Sequence, residues 1–263
     1  MRKNQLLAAL YSAWELLLDI PVPKRLLTTS ASIRPPAVAI LLALPFIGLL
    51  CGALIVLVLK ITALFLANFG NAVLYAIVLL IFILAKDSGR GFRLVMELCH
   101  DLAAGNRKIA EILPLLRLRK LSEIHDLASN LCAFAVCGFL LSAFTYLAYN
   151  GATLWAVPVL MMGTAVQGHL LSLRNVRGGL PFLAIAESER NKLWVLTGFL
   201  MLFPAIEFPL AVLVSFGLCF VLAAAARKFF EELYGGATSE MITLIGIAAE
   251  LLTLFCGILL INN

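Results

Sequence analysis

Two carboxylates and an imidazole stand close together at Glu97, His100 and Asp101. On a helix, residues four apart project from one face, so Glu97 and Asp101 would point the same way with His100 beside them. Paired carboxylates suit a hard, oxygen-preferring cation such as Mg2+, especially one that also takes phosphate oxygens. The same pattern is more often the solvated face of an amphipathic helix. Glu123, His125 and Asp126 precede the next apolar run, where the helix dipole favours an acid near a helix start; a ligand role is the alternative. Gly235-Gly236-Ala237-Thr238-Ser239-Glu240 is a flexible turn running into a helix start. That geometry can leave backbone N–H groups for a phosphate, and it also serves as a plain turn. Arg174 and Arg177 beside Gly178 and Gly179 offer guanidinium groups to a phosphate, or supply the ordinary positive charge of a cytoplasmic loop. Glu250 lies mid-way along an apolar run, where an ionisable group calls for either a partner in the bundle or a site role. Glu207, between Pro204 and Pro209, can reach an interface, and His169 suits a packing position.

The elements that must hold these residues belong to a membrane. The chain has 263 residues, 62% of them hydrophobic and 13% charged, against roughly 45–50% and 25% in an ordinary soluble domain. With a mean hydropathy of +1.02, this excludes a soluble globular domain, a disordered chain and a disulfide scaffold. The net charge of +5 fits basic loops facing anionic headgroups rather than nucleic acid. Six cysteines without CxxC or Cys/His spacing read as small hydrophobes. Glu15 and Asp19 interrupt the apolar stretch near Met1 and no small-residue cleavage site follows, so that stretch is expected to be retained.

A spanning helix needs about 20 mostly apolar residues. Val38 to Leu59, Ile61 to Ala85, Leu127 to Ala148, Thr153 to Leu173 and Met241 to Ile261 qualify. Leu193 to Ala226, broken at Pro204, Glu207 and Pro209, reads as two short helices with a tight turn, or as one tilted, kinked helix plus a re-entrant piece. The expectation is an all-α, single-domain polytopic protein over residues 1–263 with about seven spans. Residues 1–37, 86–126, 174–192 and 227–240 then share one side and hold every Lys and Arg except Lys60. By the positive-inside rule that side is the cytoplasm, with the first segment inside. Gln5 to Leu18 reads as an interfacial amphipathic helix ended by Pro21 and Pro23. Residues 86–126 read as helical with the pattern interrupted at Pro114, and Gly48 with Gly52 as a small-residue pair for close helix packing.

With these positions in place, the chain resembles the cobalamin synthase family, integral-membrane adenosylcobinamide-GDP ribazoletransferases. Ile20-Pro21-Val22-Pro23-Lys24-Arg25, followed by Leu44-Pro45-Phe46-Ile47-Gly48-Leu49-Leu50-Cys51-Gly52, is similar to the family's PVP turn and glycine-bearing helix. Gly235 to Glu240 with Glu250-Leu251 resembles its GGxTGD…EL ending. Val95 to Gly105 can be laid on its acidic HxDGxxDxxDG element, with Val95 in place of the histidine and Ala104 in place of the third aspartate. The resemblance implies transfer of alpha-ribazole, or its 5′-phosphate, onto adenosylcobinamide-GDP with release of GMP. It implies Mg2+ held by Glu97, Asp101 and Asp126, and catalytic roles for His100 and Glu240. Arg177, Gly178, Gly179, Gly235, Gly236 and Thr238 would hold substrate phosphates. Partners would be the corrinoid nucleotide, alpha-ribazole and the lipid bilayer of the inner membrane, with a homo-oligomer left open. Because Ala104 offers no side-chain oxygen, a catalytically impaired paralogue serving as a binding or assembly partner is the alternative.

Overall fold

The computed structural model describes residues 3–17, 35–64, 68–86, 89–105, 109–116, 127–178 and 180–261. They form α1 (Lys3–Leu17), α2 (Ala37–Thr62), α3 (Asn68–Ala85), α4 (Arg90–Ala103), α5 (Ile109–Ile112), α6 (Leu127–Tyr149), α7 (Ala156–Leu170), α8 (Glu187–Ala205), α9 (Pro209–Tyr234) and α10 (Ser239–Leu260). Among the described residues, β structure is limited to isolated bridges, Arg174 with Pro181 and Asn175 with Ala237.

Among the described residues, each apolar stretch of the sequence holds a helix. Four of them, α2, α6, α9 and α10, are long and apolar enough to cross a membrane, or five if α3 with α4 counts as one broken span. α7 has 15 residues, about 22 Å at 1.5 Å per residue, and α8 opens on Glu187, Glu189, Arg190 and Lys192. The break between α8 and α9 follows from proline chemistry. Pro209 is the first residue of α9, where its missing N–H costs nothing, and it forces Phe208 out of helical geometry (φ −132°, ψ 61°). α8 and α9 fold back on one another, Trp194 meeting Phe216 and Phe220 edge-on. Glu207 is exposed at the turn.

α7 is the centre of the bundle. Apolar on all sides, it buries nearly its whole length, and its main neighbours are α2 and α10. Glycines let these helices approach at backbone distance. A Cβ on Gly48 would lie 2.6 Å from Met161 Cα, and one on Gly52 2.6 Å from Val157 Cα. The small-residue pair therefore packs α2 on α7. α1 lies on α2 through Ala8, Ala9 and Ala13, leaving Leu6, Leu7 and Leu16 exposed.

Contacts at the two ends of the bundle sort the loops. At one end Tyr75 Oη donates to the carbonyl of Thr153 at 2.7 Å, and the rings of Trp155 and Phe208 lie 5.9 Å apart. At the other, Tyr234 Oη donates to the Ala110 carbonyl, Arg177 to the Leu116 carbonyl at 2.6 Å, and Ala237 N–H to the Arg174 carbonyl at 2.8 Å.

The segment after α3 departs from the expected long helix. α4 stops at Ala103, and Gly105 takes a left-handed backbone (φ 70°) that ends it. A short turn of helix resumes at Ile109 and passes into a 3-10 turn around Pro114. Pro21, Pro23, His125 and Asp126 fall outside the described residues.

Candidate functional site

The acidic helix comes first. Gly89, with φ 71°, turns the chain into α4, which packs against α6 and α10. Its apolar stripe brings Leu94 and Met96 inside, and Glu97 goes in with them at 1% exposure. A solvated acidic face therefore does not describe Glu97. Asp101, on the same face one turn on, and His100 are half-buried. Two carboxylates one turn apart fit a hard divalent cation, which takes one or two such groups and completes its shell with water and phosphate oxygens. Among the described residues no three His, Cys, Asp or Glu side chains converge as a metal cluster; Asp126 lies outside them.

The glycine turn comes second. Gly235 (φ 65°) closes α9, its N–H donating to the Glu231 carbonyl at 3.1 Å while the Gly236 N–H reaches the Phe230 carbonyl at 3.2 Å. This is the ordinary left-handed end of a helix. Gly236 lies so close to the Arg174 carbonyl that a side chain there would collide with it. Ala237 N–H donates to that carbonyl, and Val176 N–H returns a bond to Ala237 O at 3.1 Å. The N–H groups of Gly235, Gly236 and Ala237, read from sequence as available to a phosphate, are thus engaged in closing α9 and docking the 174–176 loop. Thr238 is the N-cap of α10 and accepts from Met241 N–H at 3.2 Å.

Arg177 and Glu240 meet at 2.9 Å. The second arm of Arg177 holds Leu116, and Ser239 donates to the other oxygen of Glu240 at 3.1 Å. A substrate role for Arg177 and a chemical role for Glu240 had each been expected separately; here they pair, pinning the segment after α4, the loop before α8 and the start of α10 together. Gly178 is exposed, and Gly179 falls outside the described residues.

Glu250 has a partner that the sequence did not suggest. Lys86, counted with the basic loop, turns inward and pairs with Glu250. Both side chains are largely buried, in a small apolar cavity lined by Ile83, Phe92, Val95 and Leu140. α7 makes room with Gly163, where a Cβ would fall 2.5 Å from Glu250 Cγ. His169 is buried too and accepts a bond from Trp194 Nε1 at 2.8 Å. No spacing rule links residues 86 and 250, which is why Lys86 escaped the sequence reading. No family model matches the chain, and neither a curated protein nor a solved structure is found similar to it.

Proposed function

We propose that the chain is a multi-pass inner-membrane transferase that joins adenosylcobinamide-GDP to alpha-ribazole, or its 5′-phosphate, and releases GMP. Glu97 carries the reading: a carboxylate 1% exposed that shares a helix face with Asp101. The motif resemblance at residues 20–52 and 235–251 gives the substrate class. In this reading the protein has about seven spans, its first segment inside, and α1 lies at the inner interface with Leu6, Leu7 and Leu16 toward lipid.

Glu97 and Asp101, joined by Asp126, would hold Mg2+, which when bound neutralises pyrophosphate charge. The chain's own residues then position and move a proton. An oxygen of alpha-ribazole bonds to the cobinamide-proximal phosphorus as the bond to GMP breaks. His100 accepts the hydroxyl proton, and Arg177 exchanges Glu240 for a phosphate oxygen. The impaired-paralogue reading is favoured by one observation, the engagement of Arg177 with Glu240 and of the glycine-turn N–H groups within the chain.

The test is GMP release from adenosylcobinamide-GDP and alpha-ribazole by the purified protein with Mg2+. Glu97→Gln and Asp101→Asn are each expected to lower turnover by about 100-fold or more, as removal of a charge-stabilising group does. Absence of GMP release by the parent protein, where an established ribazoletransferase works, would favour the paralogue.

A further inference from the structure

Three helices gather cationic and hydrogen-bond-donating groups where α7 ends. Trp194 Nε1 donates to His169 Nδ1, which assigns the proton of the neutral ring to Nε2. His169 is 5% exposed, and that Nε2 is buried with no hydrogen-bond partner among the described residues. One turn before Trp194 on α8, Arg190 is 8% exposed. Its Nη2 donates to Glu187 at 2.7 Å, while its Nε is buried without an acceptor among the described residues. Arg227 on α9 completes the cluster, donating to Ser172 Oγ at 2.7 Å and to Glu231 at 2.5 Å. Ser172 in turn donates to the His169 carbonyl at 3.3 Å. Arg190 and Arg227 lie near enough for their charges to act on His169 and on each other.

Buried N–H groups without acceptors are rare, because each forfeits its hydration. Two such donors beside two guanidinium groups call for an acceptor from outside the chain, and a phosphate, with several oxygens and full charge, matches the guanidinium fork. The carboxylates that now share the arginines belong to Glu187 and Glu231, whose side chains are 79% and 46% exposed, so they can turn to solvent when an anion arrives.

We infer that His169 Nε2, Arg190 Nε and Arg227 form a phosphate-binding site, separate from the residues of the transferase reading and independent of it. A soluble phosphate and an anionic lipid headgroup share that chemistry. Delipidated protein in neutral detergent, titrated with inorganic phosphate and separately with mixed micelles of phosphatidic acid or of phosphatidylcholine, distinguishes them by calorimetry. Saturable binding of phosphate identifies a soluble ligand; binding of phosphatidic acid but not of phosphate or phosphatidylcholine identifies a lipid. Arg190→Met is expected to weaken binding about tenfold or more, the loss of a charge-assisted hydrogen bond. Glu187→Gln, at an exposed position, is expected to tighten it by freeing Arg190 Nη2. No saturable binding, or binding by Arg190→Met within about twofold of the parent, overturns the proposal. Should Arg190→Met not fold, a Glu187→Gln affinity equal to the parent's overturns it.

Discussion

Glu250→Ala is expected to destabilise the protein by about 3–5 kcal/mol, because it leaves the Lys86 ammonium buried with its carboxylate partner gone. Lys86→Met should also be costly, because it removes the ammonium paired with the carboxylate that sits against Gly163 of α7. The informative variant is the double one. Lys86→Met with Glu250→Leu removes both charges from an apolar cavity, and replacing a buried pair by hydrophobic residues of similar volume is often neutral or stabilising. Thermal unfolding in detergent should show two large losses and a recovery. Losses that simply add in the double variant would mean that the two groups do not act as a pair.

Gly48→Leu is expected to prevent native packing of α2 on α7. Its Cβ alone would lie 2.6 Å from a backbone atom of Met161, and neither helix can retreat without opening the core they share. Overpacking costs about 1–3 kcal/mol where side chains can adjust, and more where, as here, backbone must move. Gly52→Leu should behave alike against Val157. Gly138→Ala and Gly217→Ala, where nothing among the described residues lies within 4 Å of the added carbon, should instead be tolerated and gain up to about 1 kcal/mol of helix propensity. Size-exclusion profiles and unfolding temperatures of the four variants check the contrast.

The helices were legible because apolar runs and prolines act locally. Pro204, Glu207 and Pro209 marked the turn between α8 and α9, and Gly48 with Gly52 marked a close contact, without any knowledge of the partner. What escaped depended on residues distant in the chain. Lys86 has the composition of a loop residue and becomes a buried group only because Glu250, far along the chain, lies opposite. The Gly235-Gly236 turn looks open in sequence. Its N–H groups are engaged because α9 ends there and the 174–176 loop arrives beside it. α4 was drawn too long because hydrophobic spacing continues past Gly105, whose backbone ends the helix regardless. Of the expected cation ligands, Glu97 and Asp101 could be placed on one face from spacing alone. The burial of Glu97 could not, since it depends on how α4 meets α6 and α10.

The enclosure of α7 bears on how the protein is made. A helix buried on every side gains little from lipid, and the surfaces that receive it come from helices on either side of it in the chain. α2 leaves the ribosome before α7, whereas α10, which supplies Glu250 against Gly163, leaves after it. During biogenesis α7 must therefore wait, notched and half-covered, until α10 arrives, so chains truncated before Ser239 should be bound by insertion machinery or quality-control proteases.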